Sequence, residues 1–93
     1  VELAHRLTNR LEECRRNNII MGLRPDGKSQ VSIQYRGDRF DKITSVVISA
    51  QHDENKDLAE LTAEIREKVI GKELKEYDLT DAEILINPSG RFV

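Results

Sequence analysis

Two runs of alternating apolar and polar residues, joined by a short polar link, restrict the fold of this chain more than any other feature. In Ser29 to Arg36, Val31, Ile33 and Tyr35 alternate with Ser32 and Gln34, the period of a half-buried strand. Lys42 to Gln51 repeats the signal, with Thr44, Val46, Ile48 and Ala50 facing one way and Ile43, Ser45, Val47 and Ser49 the other. Arg36-Gly37-Asp38-Arg39 lies between them as a tight turn, so the predicted unit is a β-hairpin. Both faces of the second strand carry apolar atoms. One face is expected to pack on helices and the other to meet a second sheet or subunit.

Helical periodicity flanks the hairpin. From residue 1 to about 17, Leu3, Leu7, Leu11 and Cys14 share a face, while Arg6, Arg10, Glu13 and Arg16 fall elsewhere. Glu12 and Arg16 stand in the favourable i,i+4 order, and Asn17-Asn18 is a stop. Ile19-Ile20-Met21 reads as an apolar plug between helix and loop. Asp57 followed by Glu60 reads as a capping-box variant opening a helix with Leu58, Leu61, Ile65 and Val69 inward and Gly71 as its end. Lys72 to Asp81 reads as charged and turn-like, with its Asp and Glu side chains forming a solvated face. Glu83 to Asn87 is a third short strand, and Asn87-Pro88-Ser89-Gly90 its exit turn. The order helix, strand, strand, helix, strand predicts a two-layer α/β (α+β) sandwich: a small, mostly antiparallel or mixed sheet with helices on one face. Residues 1–93 form one domain.

Charge and cysteine content narrow the function. Fifteen Lys and Arg stand against 17 Asp and Glu, a net charge of -2, which argues against a dedicated nucleic-acid binder. Cys14 has no second cysteine to bond, so neither a disulfide framework nor a cysteine-rich metal site can form, which fits a reducing cytoplasm. No apolar run approaches the ~20 residues that cross a bilayer, and no signal peptide is evident. The sequence opens inside a helical pattern and stops at Arg91-Phe92-Val93 as an apolar segment begins, which reads as a fragment of a longer protein.

Two bends present cations. Pro25-Asp26-Gly27 is expected to form a turn, with Pro25 fixing φ and Gly27 tolerating positive φ, so that Lys28 stands at the mouth of the first strand. Gly22 to Ser29 also satisfies the pattern G-x-x-x-x-G-K-[ST], but with a helix before and a strand after, the reverse of the phosphate-loop context, and that reading is set aside. The second bend leads into Arg91 and Phe92. If the sheet brings the two bends together, Lys28 offers a compact charge, Arg91 a planar donor fork and Phe92 a ring for a base, a set suited to a nucleotide. His52 beside Asp53 has no third ligand at useful spacing, and a structural hydrogen bond is the preferred reading; His5 lies on the polar side of the first helix.

Three separated strings add a resemblance. Leu23-Arg24-Pro25-Asp26-Gly27-Lys28-Ser29-Gln30-Val31, Val47-Ile48-Ser49-Ala50-Gln51-His52 and Ile86-Asn87-Pro88-Ser89-Gly90-Arg91-Phe92-Val93 occur in the order found in the central domain of the S-adenosylmethionine synthetase (methionine adenosyltransferase) family, and Glu2 to Leu7 also matches. The resemblance covers the whole chain. It implies a transferase that forms S-adenosylmethionine from ATP and L-methionine, releasing phosphate and diphosphate. It implies Mg²⁺ and K⁺ whose ligands lie outside this fragment, and a homodimer or homotetramer with sites between subunits. Carried over by residue, it implies ATP binding by Asp26, Gly27, Lys28, Arg91 and Phe92, with Lys28 also catalytic and no metal ligand in this chain. The apolar outer face of the hairpin, with Val31, Ile33 and Tyr35 or their neighbours, would be an interface, and the fragment alone would be inactive. The alternative is a free-standing α/β protein-interaction module without catalysis.

Overall fold

A computed structural model describes residues 2–88. The first helix, α1, spans Glu2–Arg16 and buries Leu3, Leu7, Leu11 and Cys14 as the spacing predicts. It stops where Asn18 takes a left-handed φ of 55°, a conformation asparagine tolerates. Ile20 is buried and Ile19 partly so, but Met21 is exposed, so the plug ends one residue early.

β1 (Leu23–Arg36) and β2 (Arg39–His52) form the hairpin, closed at Arg36 opposite Arg39, with Gly37 at φ 62°. The predicted turn at Pro25-Asp26-Gly27 is not a turn. Those residues are extended and belong to β1, and the chain gains its extra length there as an irregularity: Leu23 pairs with His52 and Gly27 with Ala50, so three residues of β1 face one of β2. Gly27 has no positive φ. Instead, a Cβ there would meet Leu11 Cδ2 at 3.0 Å and the Ser49 carbonyl oxygen at 3.2 Å, so its missing side chain lets β1 lie close against α1.

A second irregularity corrects the facing of β2. Ser32 pairs with Ser45 but Ile33 with Ile43, so Thr44 is an extra residue, and its hydroxyl donates to the Ser32 carbonyl at 3.1 Å. A bulge reverses side-chain phase. Ile43 therefore joins Val46, Ile48 and Ala50 in the core rather than facing away from them. Val31 and Ile33 also pack against this core, on the helix side. The open face carries Lys28, Gln30, Ser32 and Gln34 from β1 and Ser45, Val47 and Ser49 from β2. Its apolar content is smaller than the sequence suggests, and it does not include Val31 or Ile33.

Asp57 caps the next helix, its carboxylate accepting from the Ala59 N–H at 2.9 Å. Asp57→Ala is expected to cost about 1 kcal/mol, read as a lower urea midpoint for unfolding. Glu60 pairs with Lys56 rather than completing a capping box. The helix runs as α2 (Leu58–Ile65), one π-turn (Arg66–Ile70) and α3 (Gly71–Glu73). Gly71 does not end it; its φ is −63°, and its N–H bonds the Arg66 carbonyl five residues back. The widened turn adds one residue to the repeat, so Val69 and Ile70 are both buried, and Leu74 follows them into the core. The charged stretch also supplies Leu74 to the core, while Tyr77 and Leu79 pack on it and the Tyr77 ring lies tilted at 54° against Phe40 with centroids 5.4 Å apart. From α1, Arg10 Nε donates to the Lys68 carbonyl at 2.9 Å and Arg6 to the Glu73 carbonyl, tying the two helical runs together.

β3 (Glu83–Ile86) lies parallel to β2 and gives the sheet order β1-β2-β3, with the second helix as the crossover. The result is a three-stranded mixed sheet covered by helices on one face, a two-layer α+β sandwich.

Candidate functional site

The first candidate segment, Asp26-Gly27-Lys28, lies in β1 where that strand re-enters register with β2. Lys28 pairs with Ser49 and projects on the open face, alternating with Gly27 and Ser29 on the helix side. Asp26 and Lys28 are both exposed, and neither has an ion pair or side-chain hydrogen bond to any described residue. Two opposite charges thus stand two residues apart on extended backbone. Nearby charges are engaged: Arg24 pairs with Asp53 at 3.0 Å. On the helix side, Arg24, Pro25 and Gly27 join Thr8, Asn9, Leu11 and Glu12 around a shallow cleft of about 180 Å³, and Thr8 Oγ1 donates to Ser29 Oγ at 3.3 Å. Asp26 and Lys28 do not line that cleft.

His52 is fully buried. Its Nδ1 lies 3.1 Å from the Ala50 carbonyl, and a carbonyl only accepts, so that nitrogen carries a proton. The histidine therefore makes the structural hydrogen bond expected of it, with Ala50 rather than with Asp53. His5 is exposed.

The second candidate segment begins at the end of β3. Arg91 and Phe92 lie outside the described residues, but their departure point does not. The Asn87 N–H donates to the Ile48 carbonyl at 2.8 Å, and Asn87 Oδ1 accepts from the Ala50 N–H at 2.8 Å. Asn87 Nδ2 reaches the Ala50 carbonyl at 3.4 Å. Gly27 pairs with Ala50 from the opposite edge of β2. The end of β3 and the start of regular pairing in β1 therefore flank one residue, at the same end of the sheet. Sequence reasoning took Asn87 only as part of an exit turn. The available signal was an Asn directly before a Pro at a strand end, since Asn suits both a left-handed φ and bonding to nearby backbone.

Among the described residues no three His, Cys, Asp or Glu side chains converge to hold a metal ion, and no helix is long and apolar enough to cross a membrane.

Comparison with known proteins covers the chain end to end. Residues 1–92 match the family model described as S-adenosylmethionine synthetase, central domain. The S-adenosylmethionine synthase of Nocardia farcinica is 46% identical over 100 residues, and that of Mycobacterium sp. (strain KMS) 46% over 99, each alignment covering 100% of this chain and 25% of the relative. S-adenosylmethionine synthase 1 of Frankia casuarinae is 43% identical over 100 residues, covering 99% of this chain and 25% of its own length. The chain spans about a quarter of the length of the curated relatives it matches.

Proposed function

This chain belongs to the S-adenosylmethionine synthetase family as its central domain, and from that premise we propose that it forms part of a methionine adenosyltransferase. In that reaction the methionine sulfur attacks C5′ of ATP, forming the sulfur–carbon bond as the carbon–oxygen bond to the triphosphate breaks. The triphosphate is then hydrolysed to phosphate and diphosphate. Negative charge builds on the departing oxygens, so a fixed cation beside them lowers the barrier more than one beside neutral substrate.

Lys28 is assigned to those oxygens, with Asp26 and Gly27 in the same ATP-binding segment, Arg91 as a second phosphate contact and Phe92 against the adenine. The observation that carries this assignment is the pair Asp26 and Lys28, exposed and without described partners within the matched segment. The placement of Asn87 supports it. Asn87 ends β3 beside Ala50, which pairs on its other edge with Gly27.

Mg²⁺ and K⁺ belong to the parent enzyme, where they would supply further positive charge. Their ligands are assigned to other parts of that enzyme. The enzyme is assigned to the cytoplasm and to a homodimer or homotetramer with sites between subunits. The open sheet face, with Val47 and Leu85, is the surface offered for that contact in place of Val31 and Ile33.

The test is product formation by the full-length protein from ATP and L-methionine, together with ATP titration of this 93-residue chain alone. S-adenosylmethionine from the former and no saturation by the latter are expected; saturation of the isolated chain would mean that the phosphate site is complete within it.

A further inference from the structure

Register sets a hydroxyl beside Lys28. β1 and β2 are antiparallel, and Lys28 and Ser49 are directly opposed across them. Ser49 stands between the buried Ile48 and Ala50, so its side chain, like that of Lys28, projects on the open face of the sheet. Opposed residues in such a pair hold their Cβ atoms about 4.5–5.5 Å apart, so the hydroxyl and the lysine stem rise from neighbouring points. Other hydroxyls of the hairpin are used within the fold: Ser29 bonds Thr8 on the helix side, and Thr44 bonds the Ser32 carbonyl. Ser49 makes no side-chain hydrogen bond to any described residue. Ser32 and Ser45 also reach the open face but pair with each other, four residues along β1 from Lys28 or about 13 Å.

The two groups complement one another chemically. An ammonium supplies charge with little directional demand, whereas a hydroxyl donates one hydrogen bond along a defined line. Asp26, two residues before Lys28, is acceptor-only when ionised and repels anionic oxygens; Ser49 can donate to them. We propose that Ser49 is a further contact residue for the triphosphate, its hydroxyl donating to oxygens of the group that Lys28 neutralises. The proposal rests on the reading of Lys28 as a phosphate contact.

The test follows two reactions of the full-length enzyme: S-adenosylmethionine formation from ATP and L-methionine, and hydrolysis of added inorganic triphosphate. Ser49→Ala is expected to raise KM for ATP and KM for triphosphate by the same factor, roughly tenfold, with KM for L-methionine within about twofold of wild type. Ser49→Thr, which keeps the hydroxyl on a residue suited to a strand, should stay within about threefold of wild type in both reactions. The unfolding temperature of Ser49→Ala should be unchanged, since the hydroxyl has no described partner. A rise for ATP with triphosphate unaffected would put the hydroxyl on the nucleoside and overturn the proposal. Wild-type behaviour of Ser49→Ala would do the same, as would an equal loss in Ser32→Ala, which removes a hydroxyl from the same face away from Lys28. Lys28→Ala separates the two levels. If it keeps kcat/KM for ATP within about tenfold, the phosphate reading itself fails; if it loses more while Ser49→Ala loses nothing, only the Ser49 contact fails.

Discussion

Lys28→Ala in the full-length enzyme is expected to lower kcat/KM for ATP by roughly a hundredfold, about 2.7 kcal/mol of transition-state stabilisation. The size follows from where charge moves. A triphosphate leaving C5′ gains negative charge as the bond breaks, so an ammonium beside it stabilises the transition state more than the ground state. Lys28 makes no described ion pair or side-chain hydrogen bond, so its removal should leave the unfolding temperature nearly unchanged. That combination separates a chemical role from a structural one. Lys28→Arg should recover part of the loss, since it keeps the charge but replaces a compact ammonium with a broad fork. A loss of less than about tenfold for Lys28→Ala would remove the residue from the phosphates.

The sequence made Lys28 visible for a reason that proved partly mistaken. Pro25, Asp26 and Gly27 are turn formers, and their local chemistry favours a bend; the ladder to β2 overrides it and draws them into an extended, irregular stretch of β1. Lys28 is exposed beside Ser49 either way, because alternation from Val31 backwards already fixes its face. α1, the hairpin turn and the Asp57 cap were legible because each depends on residues within a turn or two of one another. The Thr44 bulge was not. Nothing local marks it, and an uninterrupted period of two placed Ile43 on the wrong face. The Asn87 side-chain bond was hidden for a related reason: its partner Ala50 lies 37 residues away in sequence, brought alongside only when β3 docks on β2.

The helix after Asp57 shows how composition can mislead about burial, and it gives the largest stability effect expected in this domain. Lys72, Glu73, Lys75 and Glu76 surround Leu74, and counted together they describe a solvated segment. A strict 3.6-residue repeat from Leu61 and Ile65 also falls out of step near residue 70. The π-turn at Arg66–Ile70 absorbs that mismatch, placing Val69, Ile70 and Leu74 against the core, with Leu74 fully buried. Leu74→Ala should therefore behave as a core truncation and cost about 3 kcal/mol, the transfer of the lost methyls plus the cavity they leave. At an m-value of about 1.5 kcal/mol per M, that lowers the urea midpoint by roughly 2 M. Lys75→Ala, one residue on and exposed, should change stability by less than about 0.5 kcal/mol. A contrast that large between adjacent positions arises only if the helix continues through Gly71 in the widened register. Were Gly71 a true stop and the following stretch solvated, the two substitutions would be equally mild.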